Sequence, residues 1–498
     1  MDKERDESYG HVLKYTGIFG GVQGFNVLMS LVRNKFIAIL LGPEGMGLAS
    51  LFNTTVGLIS QTTGLGLPVS AVKNLSEMVE RGDAEQAARF VEVIRAWSLL
   101  TAVAGMLLCV CLGPLLSSAT FSWGDHSLHF ILLAPAVGMT AITGGETAIL
   151  KSYRRLGAIA IVQILSVLAS LLISVPVYYF FWQAGIVPVI VLMSLVTMCA
   201  TLRYSLRICP LRLRGGRGVL GEGTDMVRLG VAFTLAGIAG SGAEMVNRSY
   251  LNVTGDLTVL GLYNVGYMLT ITYAGMVFSA MEADYFPRLS AVNTDIGATN
   301  LTVNRQMEVS LLILAPMLTA LIVLMPVVVP LMFTRDFLPV IAMAQVSALA
   351  MYLKVLTLPV AYITLARGAS LAYLLLETAY YLVFVALMLW GYGQWQLLGT
   401  GIALVLAHLF DFVLIHAYAY KNYGYRMSAT VAGYAVVLLG LGLAAYVATR
   451  FLSGITYWVA GVLLSLLSAA FSLWVLRRKT HLWAVLTGRI RKRRQKHY

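Results

Sequence analysis

The sequence predicts an all-α polytopic membrane protein with about fourteen transmembrane helices, and three observations support this. Of its 498 residues, 58% are hydrophobic and only 12% are charged, whereas average soluble chains carry about 25% charged residues. The apolar sequence divides into fourteen stretches of roughly 20 residues, the length of a helix that crosses a bilayer. Basic residues concentrate in alternate connections between these stretches, as the positive-inside rule predicts.

The distribution of Lys and Arg predicts the topology. If the N-terminus is cytoplasmic, the cytoplasmic side carries 30 of the 36 basic residues, whereas the outer connections carry only Arg335 and Arg450. Both termini are therefore predicted to be cytoplasmic. The net charge of +13 follows mostly from this bias, so it does not indicate nucleic-acid binding. The basic tail at 489–496 is expected to contact anionic lipid headgroups.

The predicted spans follow one another with short connections. They cover residues 15–41, 47–72, 92–118, 128–150, 157–182, 186–206, 228–254, 258–285, 308–333, 340–366, 371–391, 397–418, 429–449 and 455–476. Turn residues fill the outer connections at 42–45 and 254–256. The inner connection at 207–227 is basic and rich in glycine, which is typical of a linker between two halves.

The first six spans repeat in the next six. A shift of the chain by 214 residues places Gly47 on Gly261 and the pair Arg33-Asn34 on Asn247-Arg248. Six spans are an even number, so both copies keep one orientation, and the repeat is parallel with a pseudo-two-fold axis along the membrane normal. The predicted organisation is an N-lobe at 1–206, a linker at 207–227, a C-lobe at 228–418, two extra spans within 419–476 and a cytoplasmic tail at 477–498.

Four basic residues lie inside apolar spans and away from their ends, namely Arg33, Lys35, Arg248 and Lys354. A charge at such a position is costly and indicates a polar path through the protein. Arg33 has no acidic residue three or four positions away, so it is expected to line a cavity. Lys35 lies about 200° around the same helix and is expected to extend towards the interface. Lys354, near the middle of its span, is expected either in the cavity or in a pair with an acid of another helix.

Polar residues form one stripe on span 1 and a matching stripe on span 7. The first stripe contains Gln23, Asn26, Ser30 and Arg33, and the second contains Ser241, Glu244 and Arg248. Their spacing places each set on one helix face. Arg33 and Arg248 would then reach similar depths, and guanidinium groups bind phosphate oxygens bidentately. For Arg248, an intrahelical pair with Glu244 is the alternative.

Acidic residues inside the spans are candidates for proton coupling, because burial can raise the pKa of a carboxyl group. Asp411, Glu377 and Glu146 are the candidates, although such acids can equally neutralise Lys354 or Arg248. We find no Walker motif, catalytic triad, metal cluster or cofactor motif in the sequence. A transporter without enzymatic activity is therefore predicted.

Residues 33–48, 64–76 and 261–264 resemble polysaccharide flippases of the multidrug/oligosaccharidyl-lipid/polysaccharide (MOP) superfamily. The resemblance implies two six-helix lobes that work by alternating access. The implied cargo is an undecaprenyl-diphosphate-linked oligosaccharide, such as an O-antigen precursor for lipopolysaccharide biosynthesis. Membrane lipids, a polysaccharide polymerase and glycosyltransferases are the implied partners.

Three other functions remain open at this stage. A lipid II flippase would also have fourteen spans, but its family resemblance implies an arginine in span 2, and residues 47–72 contain no charged residue. A cation-coupled multidrug exporter should have an acidic cavity, whereas basic and acidic residues are mixed here. A membrane polysaccharide polymerase usually carries a large outer loop, and every predicted outer connection is shorter than about 12 residues.

Overall fold

The computed structural model describes residues 2–120, 126–210, 219–272 and 288–479, together with residues 274, 275, 278, 285 and 286. Most side chains in these ranges are described from residue 24 onward. Every regular element in these ranges is helical, and no strand occurs in them. The prediction of an all-α polytopic fold is therefore confirmed.

The chain divides into two compact units. Unit 1 comprises Met1–Val265, Val329–Pro339 and Ser370–Tyr392, and unit 2 comprises Gly266–Val328, Val340–Ala369 and Gly393–Tyr498. The division into an N-lobe at 1–206 and a C-lobe at 228–418 stays a prediction.

Unit 1 is formed by the N-terminal helices and by parts of two later ones. Its helices are α1 (Asp2–Thr63), α2 (Leu67–Glu80), α3 (Ala84–Thr120), α4 (Ser127–Ser152), α5 (Leu156–Phe181), α6 (Ile186–Ile208), α7 (Val219–Glu222), α8 (Thr224–Thr254) and the start of α9 (Leu257–Tyr267). An apolar core at the base of α2, α3 and α4 includes Leu75, Val93, Ile94 and Ile149, all fully buried. Burial of these side chains is the main term that holds the three helices together.

The remaining helices continue the series. They are α10 (Ile296–Met332), α11 (Val340–Ala366), α12 (Ser370–Tyr423), α13 (Ala429–Phe451) and α14 (Gly454–Lys479). In α11, 83% of the most apolar segment is buried within the protein, compared with 22% in α14. Helix α11 is thus the central helix of unit 2, and α14 exposes most of its apolar surface, as a lipid-facing helix does.

Three long helical stretches contain a sharp break. Gly42 interrupts α1 at φ 62°, Trp182 separates α5 from α6 at φ 51°, and Gln396 interrupts α12 at φ 50°. Only glycine adopts such a conformation without steric cost, so Gly42 suits its position, whereas Trp182 and Gln396 are strained. Each break falls between two predicted spans, where the chain has to reverse.

Nine helical stretches in the described residues are long and apolar enough to cross a bilayer. Three of them have 40, 52 and 54 residues, far more than the roughly 20 residues that one crossing requires. These three contain the breaks at Gly42, Trp182 and Gln396, so each covers two predicted spans. The chain is a multi-pass membrane protein, and the count of fourteen spans stays a prediction.

Candidate functional site

Residues separated by the repeat offset contact each other in unit 1. The Ser50 hydroxyl donates to Oδ1 of Asn264 at 3.1 Å, and these residues are 214 positions apart. A Cβ added to Gly47 would overlap the carbonyl oxygen of Leu257 and lie 3.0 Å from the nitrogen of Gly261. A Cβ added to Gly261 would overlap the carbonyl oxygen of Pro43.

These contacts are reciprocal. The same offset relates position 43 to 257 and position 47 to 261, so the two glycine contacts are equivalent under the repeat. Around a two-fold axis, a residue on the axis meets its own equivalent, and contacts beside the axis occur in matching pairs. The pseudo-two-fold axis therefore passes beside Ser50 and Asn264, and the predicted register of the repeat is confirmed by direct contact.

Arg248 lies at this axis and is buried, with only 7% of its surface exposed. One terminal nitrogen donates to the Ser50 hydroxyl and, at 2.9 Å, to Oδ1 of Asn264. The other lies 3.4 Å from the Glu244 carboxylate, one turn earlier in α8. The intrahelical pair considered from sequence is therefore present, but it is joined by two neutral partners from other helical segments.

Arg33 lies in α1 and is half-buried. Its guanidinium donates to the Ser170 hydroxyl of α5 at 2.8 Å and to Oδ1 of the neighbouring Asn34 at 3.0 Å. Both acceptors are neutral, and these hydrogen bonds orient the guanidinium. A planar cation held in this way can form further bidentate bonds to an oxyanion.

The other members of the two polar stripes differ in exposure. Asn26 is buried, whereas Ser30 and Ser241 are half-buried. The side chain of Gln23 lies outside the described residues. The structure joins Glu244 to Arg248 within the second stripe.

Lys35 reaches the C-terminal end of α10, which is also the end of the predicted span at 308–333, and this agrees with the expected extension towards the interface. Its ammonium donates to the carbonyl oxygens of Phe333 at 2.6 Å and of Pro330 at 3.2 Å. These carbonyls lie at the C-terminal end of α10, where helix carbonyls lack intrahelical partners and carry partial negative charge. Lys35 thus caps a helix.

Glu146 forms a buried ion pair with Arg95. The Nε of Arg95 lies 2.8 Å from Oε1 of Glu146, and the two side chains are 13% and 5% exposed. Arg95 also donates to the carbonyl oxygen of Cys209 at 2.9 Å, at the end of α6. The pair therefore joins α3, α4 and α6 within unit 1. Glu377, another coupling candidate, is half-buried in the part of α12 that belongs to unit 1.

Lys354 and Asp411 lie in unit 2 and are both half-buried. Between them in the chain is His408, which is 4% exposed and has Nδ1 2.9 Å from the carbonyl oxygen of Leu404. Sequence reasoning missed His408, although it precedes Asp411 by three residues and so shares its helix face. Within the part of the chain described, no cluster of three His, Cys, Asp or Glu side chains could hold a metal ion.

The model of one protein family matches more than half of the chain. It is the model of the polysaccharide biosynthesis protein family, and it matches residues 12–293. Comparison with curated protein sequences gives no match.

Several solved structures share the fold at low sequence identity. An inward-facing multidrug resistance MATE family transporter of the MOP superfamily has a TM-score of 0.68 at 14% identity, over 80% of this chain and 94% of its own. The lipid II flippase MurJ in an inward closed conformation has a TM-score of 0.67 at 13% identity, over 92% of this chain and 98% of its own. A MOP superfamily transporter from Pyrococcus furiosus has a TM-score of 0.59 at 14% identity, over 82% of this chain and 95% of its own.

The solved structures show the fold of the chain. The family model covers residues 12–293, which extend from α1 to beyond α9. Arg33 and Arg248 both lie within the matched residues 12–293. The chain has the fold of MOP superfamily transporters and belongs to the polysaccharide biosynthesis protein family.

Proposed function

We propose that this protein is a flippase that moves an undecaprenyl-diphosphate-linked oligosaccharide across the bacterial inner membrane by alternating access. Membership of the polysaccharide biosynthesis family and the transporter fold support this proposal. The lipid tail remains in the bilayer while the diphosphate and the sugars cross through the protein. Glycosyltransferases supply the cargo, and a polysaccharide polymerase consumes it.

The proposal depends most on one observation, the orientation of the Arg33 guanidinium by two hydrogen bonds. A diphosphate crossing a medium of low dielectric constant needs a cation to offset the loss of its hydration. The guanidinium of Arg33 is oriented by Ser170 and Asn34, two neutral acceptors. A guanidinium oriented in this way can bind diphosphate oxygens bidentately, whereas it would repel a cationic drug.

The other charged residues of the predicted path have secondary roles in the proposal. Arg248 and Lys354 are the further cations, and Arg248 is engaged by Glu244 in this conformation. Asp411 and Glu377 are the proposed carriers of a coupling proton. Glu146 is a weaker candidate, because Arg95 already holds its carboxylate in a buried ion pair.

A lipid II flippase is the second candidate, because the likeness to MurJ extends over 92% of this chain. A transport assay with protein reconstituted in liposomes distinguishes the two functions. Purified protein is reconstituted with either glycolipid carrying a fluorescent headgroup, and an impermeant reductant is added outside. We expect the reductant to bleach the whole pool of the undecaprenyl-linked oligosaccharide and only the outer-leaflet share of lipid II. Complete bleaching of lipid II with none of the oligosaccharide pool crossing would contradict the proposal.

The proposed orientation has its own test in cells. Thr254 and Glu85 are both exposed and lie in connections assigned to opposite sides of the membrane. In a variant without the four native cysteines, a cysteine at position 254 should react with an impermeant thiol reagent added outside. A cysteine at position 85 should react only after the membrane is permeabilised. The opposite pattern would reverse the topology.

A further inference from the structure

The close contact at the pseudo-two-fold axis continues along one seam. We define the seam as the contact of α8 and α9 with residues 43–66, which follow the break at Gly42. Along it, the Thr55 hydroxyl lies 3.7 Å from the sulfur of Met245. At its far end, a Cβ added to Gly66 would overlap the backbone of Gly230. The seam is therefore in contact at both of these points in this conformation.

At the axis the seam is closed by backbone against backbone. Gly47 and Gly261 leave no room for a side chain, because an added Cβ would overlap Leu257 or Pro43. Helices approach this closely only through small residues. The turns at 42–45 and 254–256 lie beside this contact, so it closes the side of the protein on which those turns lie.

Next to the two glycines, at Ser50, Arg248 and Asn264, the seam is polar. Arg248 bonds to Ser50 and Asn264, and Glu244 bonds to Arg248. An apolar contact loses its burial when it opens, whereas charged and amide groups can exchange their partners for water at small net cost. A polar cluster on small residues is thus suited to a contact that forms and breaks.

We propose that Gly47 and Gly261 form a gate on the pseudo-two-fold axis, and that Arg248 is its latch. The glycines let the two repeats meet, and the bonds from Arg248 to Ser50 and Asn264 hold them together. Arg248 is then a positioning residue that sets the closed state, in addition to any contact with cargo. The proposal rests on the proposed function only in that a transporter has to open on this side.

A buried thiol can report on the gate in the absence of cargo. Thr55 is fully buried in the seam, five residues beyond Ser50. Thr55→Cys is introduced after replacement of Cys109, Cys111, Cys199 and Cys209, and the protein is placed in lipid nanodiscs without glycolipid. The rate of reaction with a hydrophilic maleimide then measures how often the seam opens.

Gly261→Ala and Arg248→Ala should each accelerate labelling of this thiol. Arg248→Ala removes hydrogen bonds from a charged group, and we expect labelling about tenfold faster. Gly242→Ala is the matched control, because its added Cβ meets nothing within 4 Å, and its labelling should equal that of the parent. Elution as a single species on size exclusion and an unchanged unfolding temperature verify that each variant is folded.

The outcomes separate the gate from the cargo. If Arg248→Ala and Gly261→Ala label no faster than Gly242→Ala, the gate is overturned. If Gly261→Ala does not fold, Arg248→Ala decides alone. Because no glycolipid is present, faster labelling of these variants supports the gate whatever the protein transports. If the liposome assay then shows no oligosaccharide transport, the failed transport counts only against the proposed function.

Discussion

Replacement of Arg33 by alanine should lower transport of the lipid-linked oligosaccharide by roughly tenfold to a hundredfold, the range expected when hydrogen bonds to a charged group are lost. The guanidinium is held by Ser170 and Asn34 in a half-buried position. Without it, a diphosphate that enters a region of low dielectric constant loses the cation that would offset its lost hydration. Arg33→Lys should retain part of the transport, because the charge survives while the bidentate geometry is lost.

Ser170→Ala provides the control for this prediction. It removes one bond that orients Arg33 and leaves the positive charge in place, so transport should fall only slightly. Both variants are compared in the liposome assay and by the amount of glycan at the cell surface. Wild-type transport by Arg33→Ala, at equal protein levels, would show that Arg33 does not bind the diphosphate.

Replacement of Glu146 by glutamine should destabilise the protein by about 3–5 kcal/mol, the usual cost of leaving one partner of a buried ion pair uncompensated. Arg95 would then keep its charge at a site where its side chain is only 13% exposed. The bond from Arg95 to the end of α6 would not compensate for this loss. Thermal unfolding of the purified protein in detergent measures the effect.

The double variant Arg95→Met/Glu146→Leu distinguishes a structural role from proton coupling. If the pair is structural, apolar residues of similar size should restore much of the stability. If Glu146 carries the coupling proton, Glu146→Gln should instead remain folded, and its transport should no longer respond to a proton gradient. A stable Glu146→Gln with unchanged gradient dependence would contradict both roles.

Hydropathy alone predicted the position of most helices, because a chain in lipid has to satisfy its backbone hydrogen bonds within each helix. The prediction of a span at 340–366 coincides with α11, and the predictions at 429–449 and 455–476 fall within two or three residues of α13 and α14. The repeat was also visible in the sequence, because Gly47 and Gly261 share one offset with the ends of the spans.

The partners of the charged residues could not be predicted in the same way. Helical periodicity relates residues three or four positions apart, and it found Glu244 beside Arg248. Glu146 and Arg95 are 51 residues apart, and Lys35 lies 298 residues from Phe333. Such pairs depend on how helices pack. The pair Ser50 and Asn264 differs from these, because its separation equals the repeat offset and so places the two residues at equivalent positions of the repeat.

The contact between Ser50 and Asn264 also bears on how such a chain can arise from two copies of one half. In a homodimer, the same residue would stand on both sides of the axis. An arginine equivalent to Arg248 would then occur twice, and two guanidinium groups would compete for the same acceptors and repel each other. In the single chain, position 34 carries asparagine where position 248 carries arginine. Fusion of the copies thus permits one cation at a point where an assembly of identical subunits would have to place two.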